Sequence, residues 1–278
     1  MKKFAAYILS FLLLSVAGLA QDNKPLASQK ADIFLSKDML KSNPKVSFVK
    51  SFDYTPDGFV FLSTGKNFVF LGNGGFLPYF TSNVTVSCFA LSGTNVLTAI
   101  SGKQYGIFNE KGTFVKICDL PRTNMRIAHG SEAVYVYDSQ KNATNTYCVY
   151  GIFDDATYSV LARMKKPISS VYEPRNGTLF IATGNELYFA DFQKKNITKI
   201  TTLATNDDIL SIAINPIDGM IYFSTAKQIF RLNGNAIEPV IELGGLLKYT
   251  KDGLLVFQPE NKYMCRLRNN ILITENQF

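Results

Sequence analysis

One histidine, no tryptophan and four cysteines in 278 residues leave most catalytic and metal chemistries without their usual side chains. A nucleophilic relay needs a base beside its nucleophile, and His129 is the one imidazole on offer. Structural zinc needs paired ligands at short spacing, whereas Cys88, Cys118, Cys148 and Cys265 are scattered. Without tryptophan, a stacking platform for sugars would have to be built from tyrosine. The excess of 29 Lys and Arg over 22 Asp and Glu is mild, well short of a nucleic-acid-binding composition. No segment beyond residue 40 sustains a 3.6-residue apolar period, which disfavours a helical solenoid. Nor is any stretch after the first twenty residues long and apolar enough to span a bilayer as a helix.

Aromatic residues are plentiful instead. With 22 Phe and 14 Tyr the chain can bury enough surface to fold, and a disordered class is excluded. Residues 1–20 read as a cleaved export leader: Lys2 and Lys3, an apolar run from Ala5 to Val16, then Gly18, Leu19 and Ala20 before Gln21. Phe4 to Ala20 is short for an anchor and is interrupted by Ser10, Ser15 and Gly18. The expected location is therefore periplasmic or extracellular, with no integral membrane span in the mature chain. Losing Lys2 and Lys3 lowers the formal charge from +7 to +5. No cysteine follows the apolar run, which argues against a lipid anchor. Residues 21–44 are polar and irregular, either a linker or the holder of a ring-closing strand around Ile33, Phe34 and Leu35.

From residue 45 to 278 the chain repeats. In Ile209 to Leu232, Leu210, Ile212 and Ile214 alternate with small residues, Asn215 to Gly219 supplies a turn, and Met220 to Phe223 begins a second strand. Ile229 to Leu232 makes a third strand and Ile237 to Ile241 a fourth. Phe52 to Thr64 matches this turn and second strand, and weaker copies begin near Cys88, Met125, Ser170 and Lys248. First turns fall near residues 58, 94, 132, 177, 219 and 253, about 39 residues apart. The expectation is an all-β chain, a six-bladed β-propeller of four-stranded antiparallel blades, because radial packing buries both apolar faces of each meander.

The Pro-x-Asp-Gly turn followed by an apolar strand and Ser-Thr, at Thr55 to Thr64 and Asn215 to Thr225, resembles six-bladed propellers of the NHL-repeat and gluconolactonase/regucalcin type. That resemblance covers nearly the whole mature chain and implies a fold more than an activity. It also implies the alternative to a binding protein, a lactonase-like hydrolase holding Ca²⁺ at the central channel through carboxylate and amide ligands. Candidate ligands on the connections between blades are Asn83, Asn124, Asn206, Asp207 and Asp208, with Asn124 and the Asp207-Asp208 pair foremost; the competing reading of that pair is a solvated acidic turn.

Lysines recur in the turns between second and third strands at Lys66, Lys103, Lys141 and Lys227, and Arg122, Lys165 and Lys166 lie on connections expected to open on the same face. They form a candidate basic rim for a protein or anionic glycan at the propeller mouth, against the plainer reading that turn lysines serve solubility. His129 is placed at a solvent-exposed turn on the opposite face. The cysteines read as small buried hydrophobes, Cys118 and Cys148 being the one pair that could approach. Asn83, Asn142, Asn176 and Asn196 fit an acceptor pattern for glycosylation but read as turn residues in a chain with a bacterial type of leader. The function expected is an exported, non-catalytic binding or scaffold module needing no cofactor and binding no nucleic acid, with the Ca²⁺-dependent hydrolase as the alternative.

Overall fold

The computed structural model describes residues 32–33, 51–54, 60–72, 75–92, 96–131, 133–153, 156–234, 236–250, 253–258, 263–268 and 271–273. Every regular element among them is a strand. Six antiparallel sheets form six blades, each running outward from its first strand to its fourth. Blade 1 comprises Ser51–Tyr54, Val60–Ser63, Asn67–Gly72 and Gly75–Thr81. Blade 2 comprises Cys88–Leu91, Leu97–Ser101, Gln104–Phe108 and Phe114–Asp119. Blade 3 comprises Arg126–His129, Val134–Tyr137, Tyr147–Ile152 and Tyr158–Met164. Blade 4 comprises Ile168–Tyr172, Thr178–Thr183, Glu186–Asp191 and Asn196–Thr202. The repeat seen most clearly in sequence is blade 5, with Ser211–Ile214, Ile221–Ser224, Ile229–Asn233 and Ala236–Ile241. Blade 6 comprises Leu246–Thr250, Gly253–Gln258, Tyr263–Arg268 and Ile271–Ile273. The short strand Asp32–Ile33 lies against the third strand of this blade, Ile33 opposite Cys265.

The core lies between blades. Cys88, Ala90, Ile100 and Tyr105 of blade 2 pack with Ile127, Val136 and Tyr150 of blade 3 in one cluster, and four further clusters join blades 1 to 2, 3 to 4, 4 to 5 and 5 to 6. Between blades 1 and 2, Phe68 sits within 4.6 to 5.3 Å of the rings of Phe80, Phe89 and Phe108. At the seam between blades 6 and 1, Phe52 meets Phe257 edge to face at 5.1 Å and the Tyr54 hydroxyl donates to the Tyr249 carbonyl. Each inner strand turns alternate residues toward the preceding and the following blade, as its period of two requires.

In blades 1 to 5 the pairing of third with fourth strand shifts by one residue, leaving Tyr79, Ile117, Leu161, Ile200 and Val240 as the extra residue of the outer strand. The connections between blades dock on the turns between second and third strands. Ser82 N–H donates to the Lys66 carbonyl, Leu120 N–H to Lys103 and Ile209 N–H to Gly184, which gathers these turns and connections on one face, the mouth.

Phe68 is completely buried, so Phe68→Ala is expected to cost about 3–5 kcal/mol through lost burial and a cavity. Ile217→Ala, at a side chain 87% exposed, should leave stability within about 0.5 kcal/mol. Equilibrium urea unfolding of the two variants checks the contrast.

Candidate functional site

Two concavities matter. The first is the central channel, a cavity of about 480 Å³ bordered by residues of all six inner strands. Here the forward-facing residues act as stitches between neighbours. The Ser51 hydroxyl donates to the Phe89 carbonyl and accepts from its N–H, Ser211 makes the same pair of bonds with Leu247, and Ser170 accepts from Ile212 N–H at 3.1 Å. Cys88, in the equivalent place, reaches the backbone of Ile127. Each partner directly follows the next blade's own residue at that position, so the ring of equivalent places is Ser51, Cys88, Arg126, Ser170, Ser211 and Leu246. Arg126 is the one charged member.

Two residues further along each strand stand Asp53, Ala90, Ala128, Tyr172, Ala213 and Lys248. Lys248 Nζ lies 3.2 Å from Asp53 Oδ1 across the seam, and Asp53 Oδ2 accepts the Leu91 N–H at 2.8 Å. Burial alone would lower the Lys248 ammonium, but the Asp53 carboxylate outweighs it and holds the group above its ordinary value. This pair is the charged clasp between the last blade and the first.

At the far end of the channel the backward-facing residues carry the polar work. Glu173 takes hydrogen bonds from the Ser131 N–H and hydroxyl and from the Tyr135 hydroxyl of blade 3. His129 differs from its expected placement as an exposed turn residue: it ends the inner strand of blade 3, largely buried, with Nε2 at 2.7 Å from Thr98 Oγ1 of blade 2. Thr98 donates its single hydroxyl hydrogen to the Ala90 carbonyl, so His129 must supply the Nε2–H and keep Nδ1 bare. Burial lowers its pKa to about 4, against partial compensation by Asp53. A neutral imidazole locked between two blades is a structural strut and a poor base near neutrality.

The second concavity, about 340 Å³, opens on the mouth face and brings together Lys103, Arg122, Asn124 and Lys141 with Ser139 and Asn142. Arg122 spans its floor, Nη1 donating to buried Asp138 at 3.1 Å and to the Thr146 carbonyl. Asn124 adopts a left-handed backbone, φ 57°, which asparagine tolerates. Other members of the expected rim are dispersed or engaged: Lys227 pairs with Asp207 at 3.0 Å, Lys166 with Glu186 at 3.6 Å, and Lys66 and Lys165 stand exposed elsewhere on the face.

The expected Ca²⁺ ligands do not form a set. Asn124 lies on the connection from blade 2 to blade 3, Asp207 and Asp208 on that from blade 4 to blade 5, and Asp207 is already taken by a lysine. Neither borders the channel. No three of His, Cys, Asp and Glu gather as a metal cluster among the described residues. These residues do not fit a hard-cation site, which gathers six or more oxygens. The cysteines are unbridged, Cys118 and Cys148 sharing one apolar cluster.

Asp53, Arg126, Glu173 and Lys248 were not singled out by sequence. Laying the six repeats over one another in register would have exposed them, as charges in strand positions otherwise held by small or apolar residues.

No family model matches the sequence, and no curated protein does. The fold, by contrast, is widely shared: 1072 chains of solved structures are similar to it, so the architecture cannot by itself select a function. A candidate gluconolactonase aligns with a TM-score of 0.64 at 12% identity, over 90% of this chain and 96% of that one. A chain of a mitotic checkpoint complex aligns at 0.61 and 8% identity, over 91% and 96%. The extracellular domain of a candidate one-component system from B. thetaiotaomicron aligns at 0.56 and 11%, over 80% of this chain and 38% of that one. These likenesses establish the class, a six-bladed β-propeller of four-stranded blades.

His129 makes stability pH-dependent. The unfolded chain takes up the proton near pH 6.5 and the folded chain only near 4, so stability is full above about 6.5 and falls as pH drops toward 4. The expected loss is on the order of 2 kcal/mol. Urea unfolding at pH 7 and pH 5 should show a drop in the wild type that is smaller in His129→Gln, since carboxylate titration is common to both; equal drops would remove His129 from the account.

Proposed function

We propose that this propeller is an exported, non-catalytic binding module that engages an anionic partner, an acidic protein surface or an anionic glycan, at its mouth face. One observation carries the reading: the mouth pocket gathers Lys103, Arg122 and Lys141 around polar Asn124, Ser139 and Asn142, and Asp138 offsets only the charge of Arg122. Two ammonium groups are left to face solvent from adjacent blades. Such a site attracts anions over a distance of about one Debye length, with a strong dependence on salt. The channel supports a non-catalytic role as well, because its carboxylates and imidazole are spent on blade-to-blade bonds. Export rests on the leader read at residues 1–20 and is in keeping with the extracellular domain among the structural neighbours.

Lys103→Glu combined with Lys141→Glu should abolish retention on a heparin column, used as a polyanionic probe, while the wild type elutes at raised salt. Melting temperature should change by no more than about 2 °C, since both lysines are exposed. Lys227→Glu serves as the control: its partner Asp207 shows that it is already neutralised, and its effect on retention should be small. Retention that survives the double reversal would return these lysines to a role in solubility.

The competing reading, a Ca²⁺-dependent hydrolase, draws on the candidate gluconolactonase among the structural neighbours. A cation bound only by the folded state would add about 2.7 kcal/mol at a hundred times its dissociation constant. We expect no thermal shift at millimolar Ca²⁺ and no lactone hydrolysis above background. A shift of several degrees lost in Asp207→Asn with Asp208→Asn would favour the hydrolase.

A further inference from the structure

The central channel has a second feature that the basic rim does not use: its carboxylates, Asp53 and Glu173, are spent on bonds between blades, while its cations, Arg126 and Lys248, keep donors to spare. Arg126 borders the cavity at a position where other blades carry Ser51, Cys88, Ser170 and Ser211, and it is exposed there rather than folded back on a blade. Among the described residues it has no acidic partner. Lys248 borders the same cavity with 38% of its side chain accessible and commits one N–H to Asp53. Ser170 accepts the Ile212 N–H and, among the described residues, leaves its own hydroxyl hydrogen unassigned; the Tyr172 hydroxyl is in the same condition. Both carboxylates are used up, Asp53 by Lys248 and by the N–H groups of Leu91 and Tyr54, and Glu173 by Ser131 and Tyr135. Both cations act on Cys88 and on Tyr137, which ties them to one region of the channel.

We infer that the channel binds a small carboxylate-bearing molecule, its carboxylate seated on the Arg126 guanidinium with Lys248 as the second cation and Ser170 and Tyr172 as hydroxyl donors. Guanidinium suits a planar carboxylate because its fork can donate two parallel hydrogen bonds. A cavity of about 480 Å³ falls within the range of small-ligand sites. The small side chains of Ala128 and Ala213, which border the cavity, leave the bore open between these donors. A carboxylate is favoured over a cation because the charged groups on the wall with bonds left to make, Arg126 and Lys248, are both cations, whereas the carboxylates of Asp53 and Glu173 are engaged. The site stands apart from the mouth pocket, which neither Arg126 nor Lys248 borders.

The test is calorimetric titration of the full-length exported chain with succinate, citrate and glucuronate, with sulfate as a non-carboxylate anion at matched ionic strength. At least one carboxylate probe should bind, and Arg126→Ser should weaken it at least tenfold. That substitution restores the residue carried by three other blades, so the variant should fold; its melting temperature without probe verifies this. Lys103→Glu with Lys141→Glu should leave the titration unchanged, which separates failure at the channel from failure at the mouth. Absence of binding by all three carboxylates at 10 mM, equal binding of sulfate, or binding indifferent to Arg126→Ser would each overturn the assignment.

Discussion

Among the described residues no backbone ladder joins neighbouring blades of this ring, so everything depends on how one inner strand is fastened to the next. Apolar packing supplies most of the adhesion but is non-directional and would tolerate sliding. Direction comes from single side chains that bond the next blade's backbone: Ser51 to Phe89, Ser170 to Ile212, Ser211 to Leu247, and Asp53 to Leu91. Each satisfies a buried N–H that would otherwise be left unpaired, at a cost of about 1–3 kcal/mol. They also fix the height of each blade relative to its neighbour. The channel and the mouth are therefore places set by these bonds, and the chemistry of either site is whatever the stitches leave unused.

The seam between blade 6 and blade 1 uses heavier means than the others. There an ion pair, Lys248 with Asp53, joins the edge-to-face rings of Phe52 and Phe257 and the Tyr54 hydroxyl bond. Other seams join blades that are consecutive in the chain, so their contacts are held close by a connecting segment. This one brings together residues about two hundred positions apart, and its closure entropy is correspondingly larger. Asp32–Ile33 on the third strand of blade 6 adds a further tie across the same gap.

Architecture was legible in the sequence, and the sites mostly were not. Second and third strands such as Ile221–Ser224 and Ile229–Asn233 are buried on both faces, so they stand out as apolar runs between turns. Fourth strands were harder to see, that of blade 5 excepted: Asn196–Thr202 has no buried residue, and the extra residue in each of five outer strands breaks the alternation that marks a strand. His129 was misplaced because a histidine followed by Gly130 and Ser131 reads as a turn, whereas the strand extends through it to reach Thr98 on the previous blade. Lysines in the 2–3 turns are visible in the sequence, yet whether each is free depends on carboxylates distant in sequence, Asp207 for Lys227 and Glu186 for Lys166.

The extra residue in the outer strands has a consequence for life at high concentration. Leu77, Tyr79, Val115, Ile117, Tyr158, Val160 and Ile197 leave the perimeter dotted with exposed apolar side chains on unpaired strand edges. Such edges are templates for another chain to add a strand. Here the bulge puts the rim of the sheet out of step with any regular incoming strand, and Pro78 and Pro239 beside two of the bulges lack the N–H that a newcomer would need. The irregularity that hides these strands from a reader of the sequence also keeps one molecule from polymerising onto the next.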